Sequence, residues 1–426
     1  MLRAATLLVL SALAVHAASL RAGVAKTDIT PTTHEIMWGF ESRLTPSEST
    51  LDPLYARVLV LEAGSQRLAI VAVDLGRTFG EPGLDRLRDS ARKSSGITCL
   101  LVNASHTHSA PIIRDEYTDA PPAWEQRALD RIGAAIADAA GHLEPVKIGA
   151  ATGSVYIGHN RLPLRPDGTF GWFERNTTML PTAPVDPTVT VLRVDRADGS
   201  PLAVLLNYAC HPVILGPDNL QYSADFPAAT NRTVEQALGG RVTSFFLQGA
   251  PGDINPYHAV TPLQEDAIKK RDWTGQRLGA EAARVAKEIH TESVPDAAID
   301  FREETLNFKL RWDREKFRAG LLKFLGPKAL DQMGSPIQPI NCQPRQRCFD
   351  QSSNCLLPLF LASRSRISKP TGAIAARRRW LSSWATPTAT TDTFRPSQPP
   401  HAAAMERRAP APGSNRAPAS ASSTGQ

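Results

Sequence analysis

"QRLAIVAVDLG", residues 66–76, decides the fold class. Six apolar residues, Leu68 to Val73, run unbroken before Asp74 and Gly76 close the segment. A strand with one wet face alternates apolar and polar side chains. An unbroken run this short therefore predicts a strand covered on both faces and central in its sheet. Upstream, "RVLVLEA" (57–63) reads as a second strand. Downstream, "GLDRLRDSARKSSG" (83–96) has helical spacing with a glycine stop, and "ITCLLVNAS" (97–105) is a third strand. "PPAWEQRALDRIGAAIADAAGHL" (121–143) is an amphipathic helix opened by prolines and closed near Gly141. "TVTVLRVDRADGSPLAVLLNYA" (188–209) is a hairpin turning at "ADGS". "SADFPAATNRTVEQALGG" (223–240) starts another helix, "VTSFFLQG" (242–249) is another buried strand, and a last helix runs from Glu265 to about His290. This alternation predicts a layered α/β domain with a mixed sheet and flanking helices.

The two ends of the chain differ from this body. Residues 1–18 carry Arg3, a short apolar core and small residues around Val15-His16-Ala17, the construction of a signal peptide. No later segment approaches the ~20 apolar residues of a membrane span, so the expectation is a secreted or periplasmic chain with no transmembrane segment after cleavage. Residues 332–426 hold 12 prolines and 12 basic against 3 acidic residues, with no 2.0 or 3.6 period. This segment is read as a disordered basic tail or as translation out of frame. The chain's net charge of +6 is therefore the tail's, and the body, residues 19–331, gives no reason to expect nucleic acid as a partner. The five cysteines form no CxxC pair and are too sparse for a disulfide scaffold.

Chemistry gathers where strands end. Asp74 closes "LAIVAVD", His106 and His108 follow "CLLVNAS", His211 follows "LLNYAC", and Asp253 lies in "QGAPGDINP" after "TSFFL". Ligands of α/β sheets bind outside strand ends, so these four exits can share one crevice. In extended backbone, residues i and i+2 face one side, which lets His106 and His108 face it together. Imidazole is a good zinc ligand, and a catalytic zinc keeps three protein ligands and one open position. Plainer roles compete: His211 as a satisfied buried histidine, Asp74 as a turn cap, Asp253 in an Asx-turn. "QGAPGD" lacks the Lys and Ser/Thr of a phosphate loop, and Ser109 lacks a GxSxG elbow.

Over roughly residues 20–310 the chain resembles the neutral/alkaline, non-lysosomal ceramidases. The resemblance rests on "GVAKTDITP", "LDPLYARVLVLE", "NASHTHSAP", "GHNRL", "NYACHPVIL", "SADF" and "QGAPGDINP", in that order. Those proteins are zinc amidases that cleave the N-acyl bond of ceramide. The resemblance implies His106 and His211 as metal ligands, His108 beside the reacting amide as a proton-transfer group, and Arg161 at the active site. It implies a lipid-like N-acyl substrate, met at a membrane surface, and a zinc cofactor.

Two departures follow. The family's catalytic serine, in a Gly-Asp-x-Ser-Pro segment, is matched by Asn255, which can donate a hydrogen bond to an oxyanion but cannot be a nucleophile. Water acidified by the metal is then the expected attacker, with His108 or Asp253 as proton acceptor. The family's Glu and Tyr ligands lie in its final third, whereas no tyrosine follows Tyr257 here and the tail's only glutamate is Glu406. The expectation is that residues 19–331 form an incomplete catalytic domain, with two histidines as half of a zinc site. Two alternatives stay open: a metallo-esterase or phosphoesterase using His106, His108, Asp74 and Asp253 around two metals, and a non-catalytic lipid-binding relative.

Overall fold

The structure, a computed structural model, describes residues 19–115 and 117–301, scattered positions between 313 and 327, and the strand Leu361–Ser363. The stretch read as a signal peptide, and the rest of the 332–426 tail, lie outside the described residues. The elements run β1 (Arg21–Asp28), β2 (Ser49–Thr50), β3 (Tyr55–Ala63), β4 (Gln66–Val73), α1 (Glu81–Ser95) and β5 (Cys99–Ala104). There follow α2 (Ala123–Gly141), β6 (Glu144–Ser154), β7 (Gly158–Asn160), β8 (Thr188–Arg196), β9 (Pro201–Tyr208), β10 (Gln221–Tyr222) and α3 (Phe226–Ala237). The series ends with β11 (Thr243–Gln248), β12 (Ile254–Pro256), a 3-10 turn, α4 (Ala267–Glu288), β13 (Glu292–Ser293), β14 (Ala297–Ile299) and β15 (Leu361–Ser363), which pairs with β14.

The large sheet has the order β11-β9-β8-β6-β1-β3-β4-β5, with β13 joined to β6. The pairs β4–β5 and β9–β11 are parallel, and the rest are antiparallel. The order is a palindrome. Each half has an inner strand, a hairpin, a crossover helix and a parallel outer strand: β1, β3–β4, α1, β5 in one, and β6, β8–β9, α3, β11 in the other. Short hairpin turns permit the antiparallel pairs, and each parallel pair takes a helical crossover.

Packing shows why the strands read as nearly continuous apolar runs. Val58 and Val60 of β3 join Leu87 of α1 and Ile132 of α2 in one core. Val204 and Leu206 of β9 join Val234 of α3 and Leu278 of α4 in a second. The intervening residues Leu59, Leu61 and Leu205, with Phe245 of β11, meet in a third core. The two halves of the sheet thus pack face to face with a helical layer outside each. Successive side chains of one strand enter different cores, so neither face is wet. The outer strands also meet: Asn103 of β5 donates to the Gln248 carbonyl (3.3 Å) and accepts from the Gln248 amide (2.9 Å).

This layering corrects the reading of "LAIVAV" as a central strand. β4 lies one place in from the end of the hydrogen-bonding order, and its apolarity comes from layers above and below it. The middle of the sheet is instead β1 and β6. Their patterns of burial are broken, so no apolar run announced them. No helix among the described residues is long and apolar enough to cross a membrane.

Candidate metal centre

His106 and His108 leave β5 on a loop that is not extended. His106 has φ 70°, in the left-handed region that costs a non-glycine residue about 1–3 kcal/mol and is kept where surroundings over-determine it. The two imidazoles do converge, with ring centroids 5.5 Å apart, but a left-handed kink brings them together, not the strand pleat expected from the sequence. His211, two residues past Ala209 at the exit of β9, completes the group, 4.9 Å from His106 and 5.9 Å from His108 between centroids. One ring nitrogen of each lies within 4.8 Å of the others.

Hydrogen bonds tie these loops together. The side chain of Gln248, fully buried at the end of β11, donates to the carbonyls of Ser105 (2.9 Å) and Cys210 (2.8 Å) and accepts from the Cys210 amide (3.2 Å). One amide thus fixes the residues that immediately precede His106 and His211. Thr107 donates to the Ser223 carbonyl (2.8 Å), and the His108 amide donates to the Pro212 carbonyl (3.3 Å). The buried Arg43 guanidinium donates to the carbonyls of Trp38 (2.6 Å), Asn219 (3.2 Å) and His108, strapping the Ile36–Arg43 segment over the site. Gly39 is pressed against His108. Its φ is 104°, and a Cβ there would lie 2.3 Å from the imidazole Cγ.

The imidazoles differ in their partners. His106 Nδ1 is 2.9 Å from the Gly76 carbonyl and His211 Nδ1 is 3.0 Å from the Ile254 carbonyl. A carbonyl can only accept, so each Nδ1 carries the proton and each Nε2 presents a lone pair. Among the described residues neither ring nitrogen of His108 has a partner, although both are buried. Trp38 and Phe40 pack edge-on against its ring at 4.8 and 5.1 Å. Burial holds the pKa of His106 down at about 4 and that of His211 at about 3, and pushes that of His108 well below its usual value. The nearby Arg161 charge adds to each. All three rings are neutral near pH 7, the form that binds metal.

The histidines line a cavity of about 400 Å³ together with Ile36, Trp38, Phe40, Arg161, Trp172 and Glu174, among others. Arg161 lies 4.6 Å over the Trp172 ring, donates to Asn255 Oδ1 (3.1 Å) and to the Gly252 carbonyl (2.8 Å). Asn255 is fully buried, and its Nδ2 donates to the carbonyl and Oε1 of Glu174 (3.0 and 2.9 Å). Its amide is saturated by these partners and has no donor left for an oxyanion. Asp253 accepts from Asn160 Nδ2 at 2.7 Å. Asp74 pairs with Arg57 at 2.8 Å, both buried, and accepts from the Tyr55 amide. The crevice imagined at four strand exits is lined by the histidines of two, while Asp74 turns to Arg57 and one oxygen of Asp253 to Asn160. Glu174, Gln248 and Arg43 were missed: Glu174 and Arg43 stand in no motif, Gln248 opens "QGAPGDINP" without a role of its own there, and each matters only through partners remote in sequence.

No protein-family profile matches the chain, and no curated protein matches it. Among solved structures it is similar to the neutral ceramidase from Pseudomonas aeruginosa, at 20% identity and a TM-score of 0.54. It has the neutral ceramidase fold. A ceramidase complexed with C2 superposes equally well, at 21% identity and a TM-score of 0.54. Both superpositions cover 68% of this chain, which spans about half the length of each ceramidase (48% and 47%).

Proposed function

We propose that the chain is an exported, zinc-dependent hydrolase of N-acyl amides of lipid type, acting at a membrane surface, with residues 19–331 as its catalytic body. The observation that carries this is a group of three neutral imidazoles, His211 buried and the other two partly so, facing a half-apolar cavity in a domain with the neutral ceramidase fold. The donor set fits zinc: His106 and His211 each turn Nδ1 to a carbonyl and leave Nε2 as a ligand, the arrangement that ligating histidines adopt. Zinc, when bound, supplies Lewis acidity to the scissile carbonyl and acidifies water.

The protein's own groups do the rest. The Arg161 guanidinium, held by Asn255 and Gly252 and stacked on Trp172, orients the substrate carbonyl and meets the charge that develops on its oxygen. Glu174 presents a carboxylate on the same wall, fixed by Asn255, and accepts the proton that the attacking water releases. Asn255 positions both residues. The apolar side chains Ile36, Met37, Trp38, Phe40, Ile112 and Val213 receive the acyl chain and keep bulk water out. Two roles are open to His108, proton transfer or metal ligation.

The test is hydrolysis of a fluorogenic N-acyl amide by the zinc-loaded chain. Turnover that falls at least ~100-fold in His106→Ala and in Arg161→Met supports the reading; unchanged turnover in His106→Ala refutes it. A second reading, a lipid-binding relative without catalysis, is favoured by the saturated amide of Asn255 at the position of the family serine. Substrate binding without turnover would decide for it. The two-metal alternative finds no support in the positions of Asp74 and Asp253, which turn to Arg57 and Asn160.

A further inference from the structure

We propose that His108 is a third metal ligand, so that the zinc centre is a three-imidazole site complete within residues 19–301. This rests on the zinc reading above and departs from the ligand set that the sequence resemblance implies, in which His108 transfers protons and the remaining ligands come from further along the chain.

Three observations converge. First, both ring nitrogens of His108 are buried and without a partner among the described residues. A buried unpaired polar group costs about 1–3 kcal/mol, so a ring with two of them marks a place for a ligand that the protein does not itself supply. Second, the surroundings do not suit proton transfer. A histidine that shuttles protons has a second nitrogen held by an acceptor, which fixes its tautomer and shares the positive charge of the imidazolium. Among the described residues His108 has no such acceptor. It is boxed in by Trp38, Phe40 and Gly39, with the guanidinium of Arg43 bonded to its own carbonyl. A ligating histidine also usually donates its other N–H to an acceptor, and His108 does so to none among the described residues; a neutral ring bears that lack at lower cost than an imidazolium beside the Arg43 guanidinium.

Third, the donor arithmetic closes. A catalytic zinc takes three protein ligands and leaves one position open. Among the described residues, the nitrogens of His106, His108 and His211 lie within 4.8 Å of one another and form the one cluster of metal-binding side chains. Tetrahedral zinc with bonds of about 2.0–2.1 Å needs donors roughly 3.3 Å apart, a contraction that rotation of three side chains can share. Three neutral donors leave the full 2+ charge on the ion, which favours strong acidification of water and makes the site independent of residues beyond 301.

The experiment uses the full chain, stripped of metal and titrated with Zn2+ against a chromophoric chelator, with X-ray absorption at the zinc edge. The expected result is one Zn2+ per chain, a shell of three imidazoles without sulfur, and an affinity lowered at least ~100-fold in each of His106→Ala, His108→Ala and His211→Ala. Glu406→Gln leaves affinity unchanged. His108→Gln serves as a second variant that keeps side-chain volume, and is expected to lower affinity and reduce the shell to two imidazoles. Tight binding retained in both His108 variants, but lost in His106→Ala, overturns this inference and leaves the zinc reading standing. So does an imidazole count of two in the unaltered chain. A sulfur shell, or loss of zinc in Glu406→Gln, overturns the claim that the site is complete. Absence of zinc binding in the unaltered chain overturns both readings.

Discussion

Two polar clusters lie buried in this domain, and they differ in how they are completed. Around Asp52, one carboxylate oxygen meets Arg271 (2.5 Å) and Ser223 (2.7 Å), and the other accepts from the Ala224 amide (3.0 Å). Ser223 accepts from the Asp225 amide (2.9 Å), and Asp225 in turn accepts from the amides of Leu215 and Phe226 (3.0 and 2.6 Å). Every polar group there has a protein partner. At the histidine cluster, His106 and His211 are half satisfied and His108 not at all. Burial costs both clusters solvation. The first recovers it inside the fold and so holds the structure together; the second can recover it only from a ligand.

Substitutions can break this contrast. The largest effect is expected from Arg271→Met, which strands the Asp52 carboxylate in the interior and should cost about 3–5 kcal/mol of stability. Denaturant unfolding would measure it, with zinc affinity of the folded molecules unchanged. Gln248→Leu removes three buried hydrogen bonds and unties the two histidine loops. We expect a loss of roughly 2–4 kcal/mol together with weaker zinc binding, so a stability loss with full zinc affinity would show that Gln248 does not set the metal geometry.

Asp225 sharpens the comparison through pH. Burial raises its pKa from 3.8 to about 6, against the backbone hydrogen bonds that lower it. The unfolded chain therefore releases this proton first as pH rises. Its contribution to stability is fully present below pH 3.8 and is lost as pH rises through about 6. Up to about 3 kcal/mol is at stake in that window, which Asp225→Asn should flatten in unfolding measured at pH 4 and pH 7. The smallest effect has the opposite sign. His108→Leu removes two unpartnered nitrogens from a buried slot and should stabilise the metal-free protein by about 1 kcal/mol while abolishing tight zinc binding. A destabilised metal-free variant would show that His108 belongs with the first cluster.

The sequence revealed elements whose burial leaves a period. β3, β4, β5, β8, β9 and β11 were legible as apolar runs, and α1, α2 and α4 by helical spacing, because the side chains facing each core recur at fixed intervals. β1 and β6 were not legible: pairing in mid-sheet buries their backbones without demanding apolar side chains at every position. In the candidate site, His106, His108 and His211 stood out as metal-ligand types at strand exits, and Arg161 through a family motif. Arg43 and Glu174 carried no comparable mark, and Gln248 lay in a family motif that gave it no role.

By itself, then, the chain's order of residues determined the α/β class, most strands and helices, and which side chains could ligate a metal. These are local properties, set by periodicity and donor chemistry. Only the tertiary structure decided that the halves of the sheet stack on each other, that β4 is covered without being central, that Asp74 and Asp253 turn to Arg57 and Asn160, and that His108 stays unpartnered beside two half-satisfied imidazoles. Those facts depend on which hydrogen-bond partners arrive from remote segments, and that is settled only when the chain has closed on itself.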